Sequence, residues 1–287
     1  MLEVYKMCNV FNNEKIFYKY ISLNNNPYAF DLLKGKLYFS YPNQFNDPFD
    51  SKIEYKKDMT KKNLLINYKK ACERHNYPVD EQKINNLSRE QIKDMLNKMN
   101  NNGQTDALKI YCLSERYDSI LMWSHYADKH QGICIGVKTL LKNNKYTIDA
   151  LNNLALNKDN SNIFYNTRSL TLVKCKYRKR IPPKCTLFEE KDKLYAFLTT
   201  KYRDWKYEKE YRIILDAKET SKTPVEIDKN NIVEIILGMN ITNINKRKVI
   251  NYIHDEFTKE YRPKLFQCKQ IRGQYAIEKE DISMDLL

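Results

Sequence analysis

Two carboxylates and a guanidinium stand at alternate positions in Trp205-Lys206-Tyr207-Glu208-Lys209-Glu210-Tyr211-Arg212-Ile213-Ile214-Leu215. Read as one strand, period two puts Glu208, Glu210 and Arg212 on one face and Tyr207, Lys209, Tyr211 and Ile213 on the other. Such a face suits the wall of a polar cleft better than a core. Carboxylates about 7 Å apart along a strand can divide labour, one orienting a hydroxyl and the other stabilising positive charge that develops at a reacting carbon. On spacing alone, the commoner arrangement is a solvated face with a weak Glu210–Arg212 pair.

Met122-Trp123-Ser124-His125-Tyr126-Ala127-Asp128 brings an indole, a hydroxyl, an imidazole and a phenol into one turn. His125 has the chemistry of a general base or a phosphate donor, although a lone histidine is more often a hydrogen-bonded structural one. Trp123 and Tyr126 are three apart and share a helix face, a spacing commoner in cores than in ligand boxes. Phe45-Asn46-Asp47-Pro48-Phe49-Asp50 reads as a rigid turn, with side chains bonding local amides and Pro48 keeping Asp47 extended. Asp47 and Asp50 are metal-type ligands, but no third ligand stands at a recognisable spacing, so no metal is assigned. Lys174, Lys176, Arg178, Lys179, Arg180 and Lys184 surround Tyr177. They read either as a phosphate-tracking groove for nucleic acid or as a solvated basic loop.

The chain has 287 residues and a net charge of +14, which favours anionic partners. Richness in Lys, Asn, Ile and Tyr with only six Gly matches AT-rich coding, which weakens that inference. Seven scattered cysteines without a CxxC pair read as reduced thiols. Met1 to Val10 lack a secretory pattern, and no apolar run approaches a membrane span. A cytoplasmic protein without a membrane partner is expected. Zinc motifs, a P-loop, a dinucleotide glycine fingerprint and a Gly-x-Ser-x-Gly elbow are absent.

Positioning these groups requires a series of strands. Ile16–Ile21 has a compact strand signal, followed by a turn at Asn24-Asn25-Asn26-Pro27, a short helix over Tyr28–Leu33 stopped by Gly35, and a strand over Lys36–Ser40. Residues 60–102 are charged and helical, with Ser88 and Gln91 forming a capping box, and read as a helical insertion. Further strands are expected at Ala107–Ser114, Gly132–Val137, Ser169–Tyr177, Ile232–Gly238, Leu265–Ile271 and Tyr275–Ile277. Helices are expected at Leu121–Ala127, Glu189–Thr200 and Asn245–Glu260, and Lys138–Asn160 reads as a loop with one helix. The expectation is one α+β domain over 1–287, with mixed, largely antiparallel sheets and peripheral helices.

Tyr18-Lys19-Tyr20, Leu37-Tyr38-Phe39-Ser40, Phe45–Asp50, Met122–Asp128 with Gly132, and Trp205–Arg212 occur in that order. Together they resemble a bacterial and phage domain-of-unknown-function family, numbered 2971, with Asp50 where that family would carry Glu. More distantly, strand, short helix ending Leu-Leu-x-Gly, strand and late Glu-x-Glu strand resemble the ADP-ribosyltransferases, closest to their DNA-modifying toxin branch. That resemblance implies an ADP-ribosyltransferase-like fold, NAD as substrate, and a toxin or anti-phage effector modifying nucleic acid or protein. It implies that Tyr18 or Tyr20 holds the ribose, that Tyr38 or Tyr126 stacks on nicotinamide, and that Glu210 is catalytic with Glu208 assisting. Tyr-Lys-Tyr stands where His-x-Thr or Arg is usual, and the His125–Tyr126 block has no counterpart there.

The expected site therefore has Glu210, Glu208 and His125 as catalytic candidates. Tyr18, Lys19, Tyr20, Tyr38, Ser40, Asn46, Trp123, Tyr126 and Arg212 are the candidates for binding NAD. Lys174, Lys176, Arg178, Lys179 and Arg180 are the candidates for a nucleic-acid target. A non-catalytic module binding nucleic acid or a nucleotide signal is the alternative, and a metal-dependent nuclease using Asp47, Asp50 and a Glu ranks after it.

Overall fold

The computed structural model describes residues 13–24, 26, 28–56, 60–102, 108–151, 168–185, 191–217 and 224–282. Cys8, Ala107, Glu189, Asn25, Pro27 and the 152–160 end of the expected Lys138–Asn160 loop lie outside them.

The chain opens with β1 (Glu14–Ile21), a 3-10 turn at Asp31–Lys34 and β2 (Lys36–Leu37). Gly35, at φ 78°, ends that turn, and a Cβ there would meet the Ile227 carbonyl oxygen at 2.2 Å. The strand expected to reach Ser40 stops at Leu37, and Ser40 makes only an isolated bridge to Ile110. Next come α1 (Lys61–His75), α2 (Glu81–Asn85) and α3 (Arg89–Asn102). The Ser88–Gln91 capping box forms in both directions, Ser88 N–H donating to Gln91 and Gln91 N–H to Ser88. Then follow β3 (Leu108–Ser114), α4 (Ile120–Tyr126), β4 (Ile133–Lys142), β5 (Lys145–Ala150) and β6 (Arg168–Thr171). The rest comprises β7 (Val173–Lys174), β8 (Lys176–Arg178), α5 (Lys191–Leu198), β9 (Thr200–Tyr202) and β10 (Glu210–Asp216). The chain closes with β11 (Val225–Glu226), β12 (Ile232–Leu237), α6 (Asn243–Glu256), β13 (Lys264–Gln270) and β14 (Ile277–Asp281).

Three sequence expectations change. Lys138–Ala150 is a β-hairpin and not a loop with a helix, because Asn143 and Asn144 both adopt positive φ and make a tight two-residue turn. Ser169–Tyr177 is three short strands serving different neighbours, not one. Trp205–Leu215 is not a single strand. Arg203–Glu208 is a 3-10 helix, Lys209 turns the chain in the left-handed region at φ 46°, and β10 starts at Glu210.

The fold is mixed α+β with a mostly antiparallel open sheet, ordered β14-β13-β12-β4-β1-β3-β10-β7, with β5 and β6 branching from β4. Among the described residues, only β12 and β13 run parallel within it. Pairing is continuous between β1 and β4, from Glu14–Leu140 to Ile21–Ile133, and between β3 and β10, from Ser114–Glu210 to Leu108–Asp216. Between β1 and β3 only Tyr18 and Ser114 are partners, so the sheet splits there.

One sheet face carries the main core, with Phe17, Tyr111, Leu113, Tyr211 and Ile213 packed with Ile135 and the α6 residues Val249, Ile250 and Ile253. The other face carries two smaller clusters. Ile110 and Leu198 pack with Leu64, Ile92 and Leu96 of α1 and α3, while Tyr18 and Tyr20 pack with Met122 and Trp123 of α4. Polar residues fill the ground between them.

Candidate active site

Residues directly opposite in antiparallel strands share a face. Ser114 is opposite both Tyr18 and Glu210, so Tyr18, Ser114 and Glu210 form one row across three strands, and Cys112 beside Arg212 forms the next. A cleft of about 290 Å³ lies over these rows, walled by Tyr18, Lys19 and Tyr20 of β1, by Asn46 and Asp50, and by Tyr126 of α4, Lys201, Glu208, Glu210 and Arg212. Tyr38 and Ser40 also line it.

Arg212 is 0% exposed and is held entirely by acceptors. Its guanidinium grips Asp50 through both Nη atoms at 2.9 and 2.6 Å, Glu210 through Nε at 2.6 Å, and the Leu198 carbonyl at 2.6 Å. Ser51 Oγ accepts from Nη1 as well, at 2.8 Å. Glu210's second oxygen takes a bond from Lys201 Nζ at 2.8 Å, and the same amine donates to Glu208. Glu208's other oxygen accepts from Tyr126 at 2.6 Å, and Tyr126 accepts in turn from Asn46 at 3.3 Å. Ser114 Oγ donates to the Glu208 carbonyl at 2.6 Å and the Glu210 N–H donates to Tyr177 at 2.8 Å, so the backbone of both glutamates is fixed.

This arrangement separates the two carboxylates electrostatically. Burial works to raise Glu210, but Arg212 and Lys201 outweigh it and hold the carboxyl well below the usual range. At Glu208 burial prevails against Lys201, helped by the like charge of Glu210, and its pKa is pushed up to about 7. Burial alone would lower Lys201, but Glu210, Glu208 and Asp50 keep it firmly charged. Burial and the Glu208 charge raise Tyr126, so it stays a donor. Burial and Glu210 push the Cys112 thiol up, so this cleft residue is not a thiolate.

The expected residues divide accordingly. Glu208, Glu210, Arg212, Tyr126 and Asn46 come together in one hydrogen-bonded chain. Tyr18 and Tyr20 line the cleft, yet their hydroxyls are committed elsewhere, Tyr18 to Glu234 and Tyr20 to the Arg116 carbonyl. Lys19, on the opposite sheet face by alternation, bonds the Cys112 carbonyl at 3.1 Å across the split. Tyr38 donates to Asp31 and lies 4.6 Å from the exposed Tyr28 ring. Trp123 is fully buried, donates to the Tyr117 carbonyl and does not line the cleft. His125 is exposed beside Tyr207, outside the lining. Lys174 pairs with Glu115 and lies with Lys176 in a different depression from Arg178, Lys179 and Arg180.

Lys201 escapes sequence reasoning altogether, and Asp50 is singled out there without its partner. Lys201 lies in a three-residue strand with no motif around it. Asp50, read as part of a turn, is the bidentate partner of an arginine 162 residues away. Asp47 meanwhile caps its own turn, accepting from the Phe49 N–H at 2.9 Å. Asp50 thus spends both carboxylate oxygens on Arg212, whereas Asp47 spends one on its own turn.

A family model described as protein of unknown function (DUF2971) matches residues 122–213. The matched span begins in α4 and ends in β10, so it carries Tyr126, Lys201, Glu208, Glu210 and Arg212 but not β1, Asn46 or Asp50. No curated protein and no solved structure matches the chain.

Proposed function

We propose that this chain is an NAD-using enzyme of the ADP-ribosyltransferase type, with the cleft taking the nicotinamide–ribose end of NAD. One observation carries the reading. Among the described residues Asp50, Glu208 and Glu210 share two cations, Lys201 and Arg212, so this buried wall carries one excess negative charge whenever Glu208 is ionised. When the glycosidic bond of NAD breaks, nicotinamide departs with the bonding pair as a neutral molecule and positive charge develops on the ribose. A preorganised wall with excess negative charge in a low-dielectric setting stabilises that positive charge.

The two glutamates take different parts. Glu210, pinned by Arg212 and Lys201, is the fixed negative charge. Glu208, near neutrality in its proton affinity, is suited to receive the acceptor's proton. The cleft's size suits half of the dinucleotide, and the Tyr28–Tyr38 pair adds aromatic surface. The resemblance to DNA-modifying toxins extends the proposal to a toxin or anti-phage effector.

The test is incubation with NAD and cell extract, following nicotinamide release and transfer of label. Loss of both in Glu210→Gln is the expected result. Release that persists in that variant sinks the proposal, and a wild type that releases nothing yet binds polyanions favours the non-catalytic module.

A further inference from the structure

The parallel ribbon of β8 and β9 sets Tyr177 opposite Lys201 and Arg178 opposite Tyr202. Tyr177 and Lys201 face inward, where they bond Glu210 and Glu208. Strand alternation sends Arg178 and Tyr202 to the other side. There, with Lys52, Lys179, Arg180, Phe49 and Trp205, they line a second cavity of about 530 Å³. Asn46 and Lys201 line both cavities, so the two share a wall. The Trp205 ring lies 5.3 Å from the Lys201 amine within that wall.

Charge and aromatic surface coincide here. Among the described residues, none of Lys52, Arg178, Lys179 and Arg180 is in an ion pair. The single carboxylate of the lining, Asp47, is turned to the Phe49 N–H. Phe49 is 72% exposed and Tyr202 47%, an arrangement unfavourable for a residue without a ligand and favourable for a stacking platform. Cations that track phosphates beside open aromatic faces match single strands, whose bases are free to stack. Duplex bases have no free faces.

We propose that this second cavity binds single-stranded nucleic acid, its backbone on Arg178, Lys179 and Arg180 and its bases against Phe49, Tyr202 and Trp205. As the acceptor site next to Glu208 it rests on the NAD reading above, while binding itself requires neither NAD nor Glu208.

The experiment is fluorescence anisotropy with labelled mixed-sequence 12-mers, as single-stranded DNA, single-stranded RNA and duplex DNA, without NAD. At least one single strand is expected to bind about ten-fold more tightly than duplex, with about ten-fold loss in Arg178→Gln/Lys179→Gln/Arg180→Gln. Phe49→Ala, at an exposed position that folding does not require, is expected to weaken single-strand binding about five-fold or more. Equal affinity for duplex, or no effect of Phe49→Ala, overturns the proposal, as does equal competition by a polyglutamate peptide. Nicotinamide release without oligonucleotide reads the NAD proposal separately. Tight single-strand binding without release leaves the cavity assignment standing and removes the enzyme, and release without single-strand binding does the reverse.

Discussion

Lys201 donates through one ammonium to both Glu208 and Glu210, which follow it by seven and nine residues. Like charges brought this close cannot ionise equally, and the asymmetry comes from the next shell of partners. Glu210 has the Arg212 guanidinium in addition, whereas Glu208 has a neutral phenol. One carboxylate is thereby fixed as an anion and the other left able to exchange a proton near neutral pH.

The pH dependence of stability follows from that asymmetry. Glu208 binds its proton more tightly folded than unfolded, so between about pH 4.5 and 7 the native state holds more protons and stability falls as pH rises. Glu210 has the opposite sign, contributing stability above its ordinary pKa that is lost as acid protonates it. The unfolding free energy of wild type minus that of Glu208→Gln is expected to decline from pH 5 to 7 in urea titrations. A flat difference would count against the raised Glu208.

Removing Arg212 leaves Asp50 and Glu210 buried with Lys201 as their one cation among the described residues. Arg212→Met is expected to destabilise the protein by about 3–5 kcal/mol, read as a lower urea midpoint. Arg212→Lys should recover only part of this, because an ammonium cannot reproduce the two-pronged grip on Asp50.

Tyr126→Phe deletes a donor to Glu208 and leaves the ring in place. Hydrogen bonds to charged groups are worth about 1.5–3 kcal/mol, so nicotinamide release at pH 7 is expected to fall about ten-fold or more. The pH midpoint of the activity is expected to move upward, since the anion of Glu208 loses support. A profile that keeps its midpoint would separate Tyr126 from Glu208.

Lys209 holds a left-handed conformation that a side chain disfavours. Lys209→Gly relieves about 1–2 kcal/mol of left-handed strain against about 0.4–1 kcal/mol of added unfolded-chain entropy. It is expected to be neutral or mildly stabilising, while the β-branched Lys209→Val destabilises. Thermal denaturation of the pair checks this. If valine is tolerated as well as glycine, the turn that separates Glu208 from β10 is not under strain.

Much of the fold was legible in the sequence. The apolar spacing and Ser88–Gln91 box of 60–102, the Gly35 stop and the aliphatic runs of β4 and β12 are local patterns, and local backbone preference decides them. The convergence of Glu208, Glu210 and Arg212 also came from spacing, though for the wrong reason. A straight strand would align them by alternation, whereas the molecule uses a 3-10 turn and a left-handed Lys209 to bring Glu208 back beside Glu210.

The sequence by itself therefore determined the residue types that meet at the site and most of the elements that carry them. Tertiary structure alone decided their partners. Asp50 reaches Arg212 across 162 residues, and Lys201 supplies a shared cation from a strand three residues long. The first-strand tyrosines spend their hydroxyls on Glu234 and Arg116. The physical reason is that buried charges must find counter-charges wherever the packed chain puts them. Such pairing has no period, so no local pattern announces it.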